Sequence, residues 1–176
     1  MSVRKRLSQF VGLAVLICVS GLALADDLAW TTTFSGGSTI EVPQFFLDGP
    51  IRGLMNYGLD GDRSDEEADF GSAYEPLERP ISLRQYRTES SERPFVFLSK
   101  LAASQTGQIT YTVDEDHLGV LSGYTDIEQT TVYYGICRRD GGPVWCVDLF
   151  YATEDQSIYG PIVERIAKSF INDESH

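Results

Sequence analysis

The chain has 176 residues, of which 42% are hydrophobic, and its formal net charge at pH 7 is −12. This length provides one domain with room for a substantial core. An acidic surface repels phosphate backbones and anionic lipid headgroups, so the composition argues against nucleic acid and membrane surfaces as partners.

The first 25 residues have the three-part pattern of a secretory signal peptide. A basic cluster at 4–6 precedes an uncharged apolar run at 10–25, which ends in a small-x-small sequence. The run is shorter than the about 20 residues of a comfortable membrane span. We therefore expect cleavage between Ala25 and Asp26, no stable membrane span afterwards, and a periplasmic or secreted product.

The mature domain, residues 26–176, is more acidic than the whole chain. The first 25 residues contain three of the 14 basic residues and none of the 26 acidic ones, so their removal brings the net charge to −15. Such a charge keeps a small exported domain soluble, and it also suits a basic binding target.

The first half of the mature domain predicts short strands and one helix. Strands are expected at Trp30–Phe34, Thr39–Val42 and Ile81–Arg87. The stretch Arg93–Ser104 fits a helix with proline in its first turn, and Phe95–Leu98 within it also fits a strand.

The segment Asp60–Asp69 carries six carboxylates in ten positions. Such a run can wrap a hard cation such as calcium. A calcium loop would need glycine at Asp65 and a bidentate glutamate at Gly71, so we expect a solvated acidic loop without a bound metal. The weak calcium candidates are Asp60, Asp62, Asp65 and Glu66.

The second half of the domain predicts a meander of four antiparallel strands and then a helix. The strands are Gln108–Val113, with Ile109, Tyr111 and Val113 on one face, then Leu118–Tyr124, Thr130–Arg139 and Val144–Tyr151. The helix begins near Asp155 or Ser157, and its apolar residues recur at the spacing that packs a helix on a sheet. Those residues are Ile158, Ile162, Val163, Ile166 and Phe170. The fold class is therefore α+β, with an antiparallel sheet, an amphipathic C-terminal helix and one earlier helix.

Two cysteines, Cys137 and Cys146, remain after processing, and an oxidising compartment favours a disulfide between them. The turn sequence Asp140–Pro143 lies between their strands. If the hairpin is centred between Gly141 and Gly142, opposing residues have numbers that sum to 283, as those of the two cysteines do. The register therefore places the cysteines opposite each other. Their spacing is not Cys-x-x-Cys, which argues against a redox role.

The same register divides this hairpin into two faces. One face, expected in the core, carries Val132, Tyr134, Ile136, Val147, Leu149 and Tyr151. The other face carries the disulfide, Tyr133, Asp148 and Phe150. Arg138 stands opposite Trp145, and this pair predicts a cation–ring contact that serves packing.

Catalytic motifs are weak in this sequence. Ser122 is one position late for a G-x-S-x-G nucleophile elbow and lies in a predicted strand. His117 is the candidate base for it, but no third partner or oxyanion site accompanies the pair. Zinc is disfavoured because both thiols are engaged and histidines are scarce. The sequence thus assigns no catalytic residues and no cofactor.

The order of features in the second half resembles a group of exported bacterial proteins. The matching features are Gln108–Val113, Leu118–Tyr124, the Tyr133-Tyr134 strand, and Pro161–Phe170, which has that group's helix pattern P-I-V-x-R-I-x-x-S-F. Residues 39–171 also look like the PsbP-like fold, an antiparallel sheet covered by helices. The resemblance implies no catalytic residues but the role of an accessory subunit or binding module. Residues 51–79 match least, which makes them the candidate segment for any activity specific to this chain.

Three functions fit these observations. The leading hypothesis is a noncatalytic envelope protein that binds a partner or ligand. The second is a metal-dependent or carboxylate-based hydrolase of envelope material. The third is an inhibitor or immunity-type protein that uses its acidity against a basic target.

Overall fold

A computed structural model of the chain describes residues 28–35, 37–55, 70–103, 107–139 and 141–171. The side chains at 53–55 and 70 are not part of this description. The predicted signal peptide and the acidic segment 60–69, with its calcium candidates, lie outside the described residues.

The fold is α+β, as predicted, with nine strands and two helices in the described ranges. In chain order the elements are β1 (Trp30–Ser35), β2 (Ser38–Pro43), β3 (Ile51–Met55), β4 (Phe70–Tyr74), β5 (Ile81–Thr88), α1 (Pro94–Ala103), β6 (Ile109–Asp114), β7 (Leu118–Tyr124), β8 (Thr131–Arg139), β9 (Val144–Ala152) and α2 (Gln156–Ile171). Short 3-10 turns at Gln44–Leu47 and Thr153–Asp155 follow β2 and precede α2.

Seven of the strands form one antiparallel sheet in the order β3-β4-β5-β9-β8-β7-β6. The predicted meander is confirmed, because β6 to β9 pair in sequence. β5 joins the other side of β9, which makes β9 the middle strand. The strands β1 and β2 form a separate antiparallel hairpin.

The predicted register of the β8–β9 hairpin is confirmed. Cys137 pairs with Cys146 and the two form a disulfide, while Val132 lies opposite Tyr151. Alternate side chains of a strand point to opposite faces, so this register decides what each face of the sheet carries.

One face of the sheet packs against α2 and the β1–β2 hairpin to form the larger core. The hairpin face that was expected in the core is there, although Tyr134 is only half-buried. On α2, Tyr159 is buried and Ile158 is 39% exposed, so the prediction that Ile158 packs on the sheet is wrong. The Tyr159 ring instead packs 5.6 Å from that of Tyr151 on β9.

Buried polar contacts attach the β1–β2 hairpin to this face. The fully buried amide of Gln85 on β5 accepts a hydrogen bond from Thr33 Oγ1 at 3.1 Å and donates to the carbonyl of Ser38 at 2.7 Å. On the outer side, Arg165 of α2 donates to Glu41 at 3.1 Å and lies 4.0 Å from the Trp30 ring centroid. The hairpin is therefore fixed to both the sheet and α2.

The opposite face of the sheet holds a second core beneath α1. The helix lies on β7 and β8, and the stretch Phe95–Leu98 is helical, so its reading as a strand is wrong. Gly119 lets the helix approach, because a Cβ there would stand 2.4 Å from the backbone nitrogen of Phe95. The members of this core are Tyr86, Phe97, Leu98, Leu121, Tyr133, Cys137, Val144 and Cys146. Both faces of the β8–β9 hairpin are thus buried.

The edge strands differ most from the sequence prediction. No strand was predicted at β3 or β4, which pair with each other and extend the sheet beyond β5. In β6 a bulge places Ile109 opposite Gly123 but Tyr111 opposite Ser122. Neighbouring residues of β7 point to opposite faces, so the prediction that Ile109 shares a face with Tyr111 is wrong.

Arg138, which lies opposite Trp145 in the ladder, is buried beside α2 in the larger core. Its guanidinium stands 5.1 Å from the centroid of the Phe170 ring. This contact with α2 supports the expectation that Arg138 serves packing.

Reduction of the disulfide should destabilise the fold. The bond closes a loop of about ten residues, for which the chain-entropy estimate gives about 2.5 to 3 kcal/mol. We expect the oxidised protein to unfold at higher urea concentration than the reduced protein, as measured by circular dichroism. The Cys137→Ala/Cys146→Ala variant, tested under both conditions, is the control and should not respond to reductant. Identical midpoints for the oxidised and reduced wild type would contradict the expectation.

Candidate functional site

A buried carboxylate lies at the centre of the sheet, on the α1 face. Asp148 of β9 is 3% exposed and stands between Arg84 of β5 and Gly135 of β8 in the ladder. Tyr86 donates its hydroxyl proton to Oδ2 and Tyr133 donates to Oδ1, each at 3.0 Å. Both carboxylate oxygens therefore have a phenol partner.

Burial raises the pKa of Asp148 to about 6. The hydrogen bonds from Tyr133 and Tyr86 and the positive charge of Arg84 oppose this rise. Burial is also the main reason why the pKa of Tyr133 lies well above its usual value, with the Asp148 carboxylate adding to it. Tyr133 thus remains a proton donor, whereas the Asp148 carboxyl titrates near neutrality.

Glycine opposite Asp148 makes room for the network. A Cβ at Gly135 would stand 2.2 Å from the Tyr133 hydroxyl and 2.9 Å from Leu98 of α1. The Tyr133 ring also packs 5.0 Å from that of Phe150, and the Arg84 guanidinium lies 5.1 Å from the Phe150 centroid. These contacts pack other side chains around Tyr133 and Phe150, and this geometry suits a structural role for the network.

A second group, of three tyrosines and one serine, lies on the α2 face, beside the helix. Tyr111 of β6, Ser122 of β7 and Tyr134 of β8 are direct cross-strand partners and so share one face. Tyr124, two residues after Ser122, points the same way. We call these four residues the tyrosine surface.

The tyrosine surface is partly accessible, and its members Tyr124 and Tyr134 also pack against the larger core. Tyr111 is 56% exposed, and Ser122, Tyr124 and Tyr134 are half-buried. Helix α2 packs mainly on β2, β9 and β8, and the exposure of Tyr111 shows that the β6 side of this face is accessible at that residue. Strands two apart in a sheet are separated by about 9.5 Å, so Tyr111 and Tyr134 form a platform with Ser122 between them.

Within this surface, burial keeps the phenol of Tyr134 protonated. Burial raises the pKa of Tyr134 to about 12, and the neighbouring Tyr111, Glu164 and Tyr151 add to the rise. Burial also raises the pKa of Tyr151 to about 12, with Tyr124 as the second cause. These couplings place the hydroxyls of β6, β7, β8 and β9 in one neighbourhood. The platform offers aromatic faces and hydroxyl donors, which suit stacking and hydrogen bonding.

The residues considered for catalysis are not brought together. His117 lies in the exposed turn before β7, whereas Ser122 lies within β7 as part of the tyrosine surface. About 13 Å of strand separates Ser122 from the start of β7 at Leu118. Within the ranges that the structure describes, no three His, Cys, Asp or Glu side chains are grouped so that they could hold a metal ion.

Several members of both groups were recognised in the sequence, but Tyr86 and Gly135 were not, and neither grouping was predicted. The predicted register placed Tyr133 and Asp148 on the same face of the hairpin, and the buried carboxylate opposite a glycine was the available signal for an internal network. The tyrosine surface combines three strands, and only the registers of β6, β7 and β8 together reveal it.

Comparison with known proteins adds no functional assignment. No protein-family model matches the chain, and no curated protein is significantly similar to it. None of the helices in the described part of the chain is long and apolar enough to cross a membrane.

Replacement of the buried carboxyl should change how stability depends on pH. The pKa of Asp148 in the folded state, about 6, lies above its ordinary value of 3.8. Between these values the folded state keeps a proton that the unfolded state has lost. The carboxyl therefore contributes its full stability below about pH 4 and loses it as the pH rises through about 6. About two pKa units correspond to about 3 kcal/mol.

The Asp148→Asn variant stays neutral, so its free energy of unfolding relative to wild type should rise by up to about 3 kcal/mol from pH 4 to pH 7. Urea unfolding at four pH values measures this difference. Leu77→Asn, at an exposed side chain with no titratable group, is the control and should show a flat difference. A flat difference for Asp148→Asn as well would contradict the assignment.

Proposed function

We propose that the protein is an exported, noncatalytic envelope protein that binds a partner through the tyrosine surface. The observation that carries the proposal is the partly exposed platform of Tyr111, Tyr124 and Tyr134 around Ser122, which lies on a sheet instead of a loop. Exposed aromatic residues on a rigid support contribute much binding surface at a small cost in side-chain entropy.

Export is proposed from the N-terminal sequence pattern together with the disulfide. The bond between Cys137 and Cys146 suits an oxidising compartment such as the periplasm or the cell exterior. The antiparallel sheet with helices on both faces is compatible with the proposed PsbP-like kinship, whose members include accessory subunits and binding modules.

The acidic charge favours one version of this function, in which the partner is a basic protein, as for an inhibitor or immunity-type protein. A carboxylate-based hydrolase is the weaker proposal. Burial raises the pKa of the Asp148 carboxyl to about 6, as a general acid would need. However, both of its oxygens accept hydrogen bonds inside the sheet, from Tyr86 and Tyr133. That arrangement supports a structural use of the carboxyl.

Export can be tested by the mass of the protein recovered from cells. The full chain, expressed in a Gram-negative host, should appear in the periplasmic or culture fraction with Asp26 as its first residue. An Ala25→Arg variant removes the small residue before the cleavage site and should accumulate unprocessed. Recovery of the wild-type chain in the cytoplasm with its first 25 residues intact would contradict the proposal.

Binding through the tyrosine surface can be tested by site-specific crosslinking in cells that express the protein. A photoreactive phenylalanine derivative at Tyr111 should give a discrete adduct with another envelope component. The control position is Leu77, which is 74% exposed between β4 and β5 at the other side of the sheet. The same adducts from both positions, or none from Tyr111, would contradict the proposal.

A further inference from the structure

Strand β6 forms an edge of the seven-stranded sheet. It pairs with β7 and has no second neighbour among the described strands. Along an edge strand, alternate backbone N–H and C=O groups point away from the sheet. Such an edge is the template for β-augmentation, in which an extended peptide adds one strand through main-chain hydrogen bonds.

The sequence of β6 leaves most of this edge regular. Natural edge strands are commonly protected by lysine, proline or a bulge. The strand Ile-Thr-Tyr-Thr-Val-Asp contains neither lysine nor proline, and its bulge lies at the start, between Ile109 and Tyr111. From Tyr111 to Asp114 the pairing with β7 is regular. Ile109 and Tyr111 are 50% and 56% exposed, so apolar surface accompanies the open backbone.

Acidic side chains flank both ends of β6. Asp114, Glu115 and Asp116 lie at its C-terminal end, where Arg93 contacts Asp114 at 3.0 Å and Asp116 at 3.7 Å. Glu128 lies in the β7–β8 turn at the other end, which the 3.5 Å contact between Gln129 and Gln108 places beside the start of β6. Among the described residues, these four carboxylates outnumber Arg93, which contacts two of them, so the edge is suited to a positively charged segment.

We propose that the β6 edge binds an extended segment of a partner protein that carries lysine or arginine at alternate positions. The proposal rests on the proposed binding function and names the chemistry of the partner. Alternate side chains of the added strand share one face, so its cations would lie beside the Tyr111 ring, while the carboxylates at the two ends of β6 attract them at longer range.

Charge argues against a second copy of the chain as the occupant. Pairing of two β6 strands would bring together two sets of flanking carboxylates and two domains that each carry a net charge of −15. Like charges placed opposite each other across strands are destabilising. A basic segment instead gains attraction from the same groups.

The test measures by calorimetry how synthetic nine-residue peptides bind to the mature chain. The probe alternates lysine and valine, and one control alternates glutamate and valine. The second control is a pair of lysine peptides methylated at every second backbone nitrogen, one at the odd and one at the even positions, which are the two registers. The lysine peptide should bind, and more weakly when salt rises from about 0.05 to about 0.5 M, because screening shortens the range of attraction. The glutamate peptide and at least one methylated register should not bind.

Two matched variants locate the binding surface on the protein. Tyr111→Lys adds a positive charge at the β6 edge and removes the ring, and it should weaken binding at least about tenfold, or about 1.4 kcal/mol. Leu77→Lys adds the same charge at an exposed site beyond β4 and should change binding less than about twofold. Circular dichroism checks that both variants are folded.

Several results would overturn the proposal. These are no binding of the lysine peptide, equal binding of the glutamate peptide or of both methylated registers, and equal losses in the two lysine variants. Self-association in the ultracentrifuge that Tyr111→Lys abolishes would assign the edge to a second copy. If Tyr111 still gives a discrete crosslink in cells while the lysine peptide fails, the proposed function stands and only the basic-strand inference is lost.

Discussion

The register between β8 and β9 is the constraint on which the rest of the molecule depends. The disulfide joins Cys137 to Cys146 across directly opposed positions, and β9 is the middle strand of the sheet. A slip by one residue would exchange the contents of the two faces. Since α2 with the β1–β2 hairpin covers one face and α1 covers part of the other, both cores would be lost together.

Burial of both faces has a chemical consequence, because the middle strand carries Asp148 into the interior. Tyr86 and Tyr133 satisfy its oxygens, and Gly135 provides the space for the Tyr133 phenol. The network therefore combines residues of three neighbouring strands, β5, β9 and β8. Continued outward through β7 to β6, the same pattern of registers aligns Tyr134, Ser122 and Tyr111 on the open side of the α2 face. The registers between neighbouring strands therefore determine both the buried Asp148 network and the proposed binding surface.

The sequence allowed the meander, the disulfide register and both helices to be predicted, because each depends on local periodicity or on two residues in one hairpin. It did not predict β3 and β4, which are short and contain Gly53 and Gly71, residues that are rare in strand interiors. Helical spacing alone did not reveal that Tyr159, and not Ile158, is buried against the sheet, because this depends on a contact between Tyr159 and Tyr151 of β9. The candidate site was missed since it needs three registers, and one of them includes a bulge that local alternation does not reveal.

Backbone amide hydrogen exchange of residues 26–176, with and without the alternating lysine–valine peptide, tests the central claim most directly. Formation of an eighth strand should slow exchange at amides within Ile109–Asp114 whose N–H groups face away from β7, while Ile51 and Arg52 on the opposite edge strand β3 exchange as before. Protection at β3 or elsewhere without any change in β6, or peptide binding with no protected amide, would contradict the claim that β6 is the docking edge.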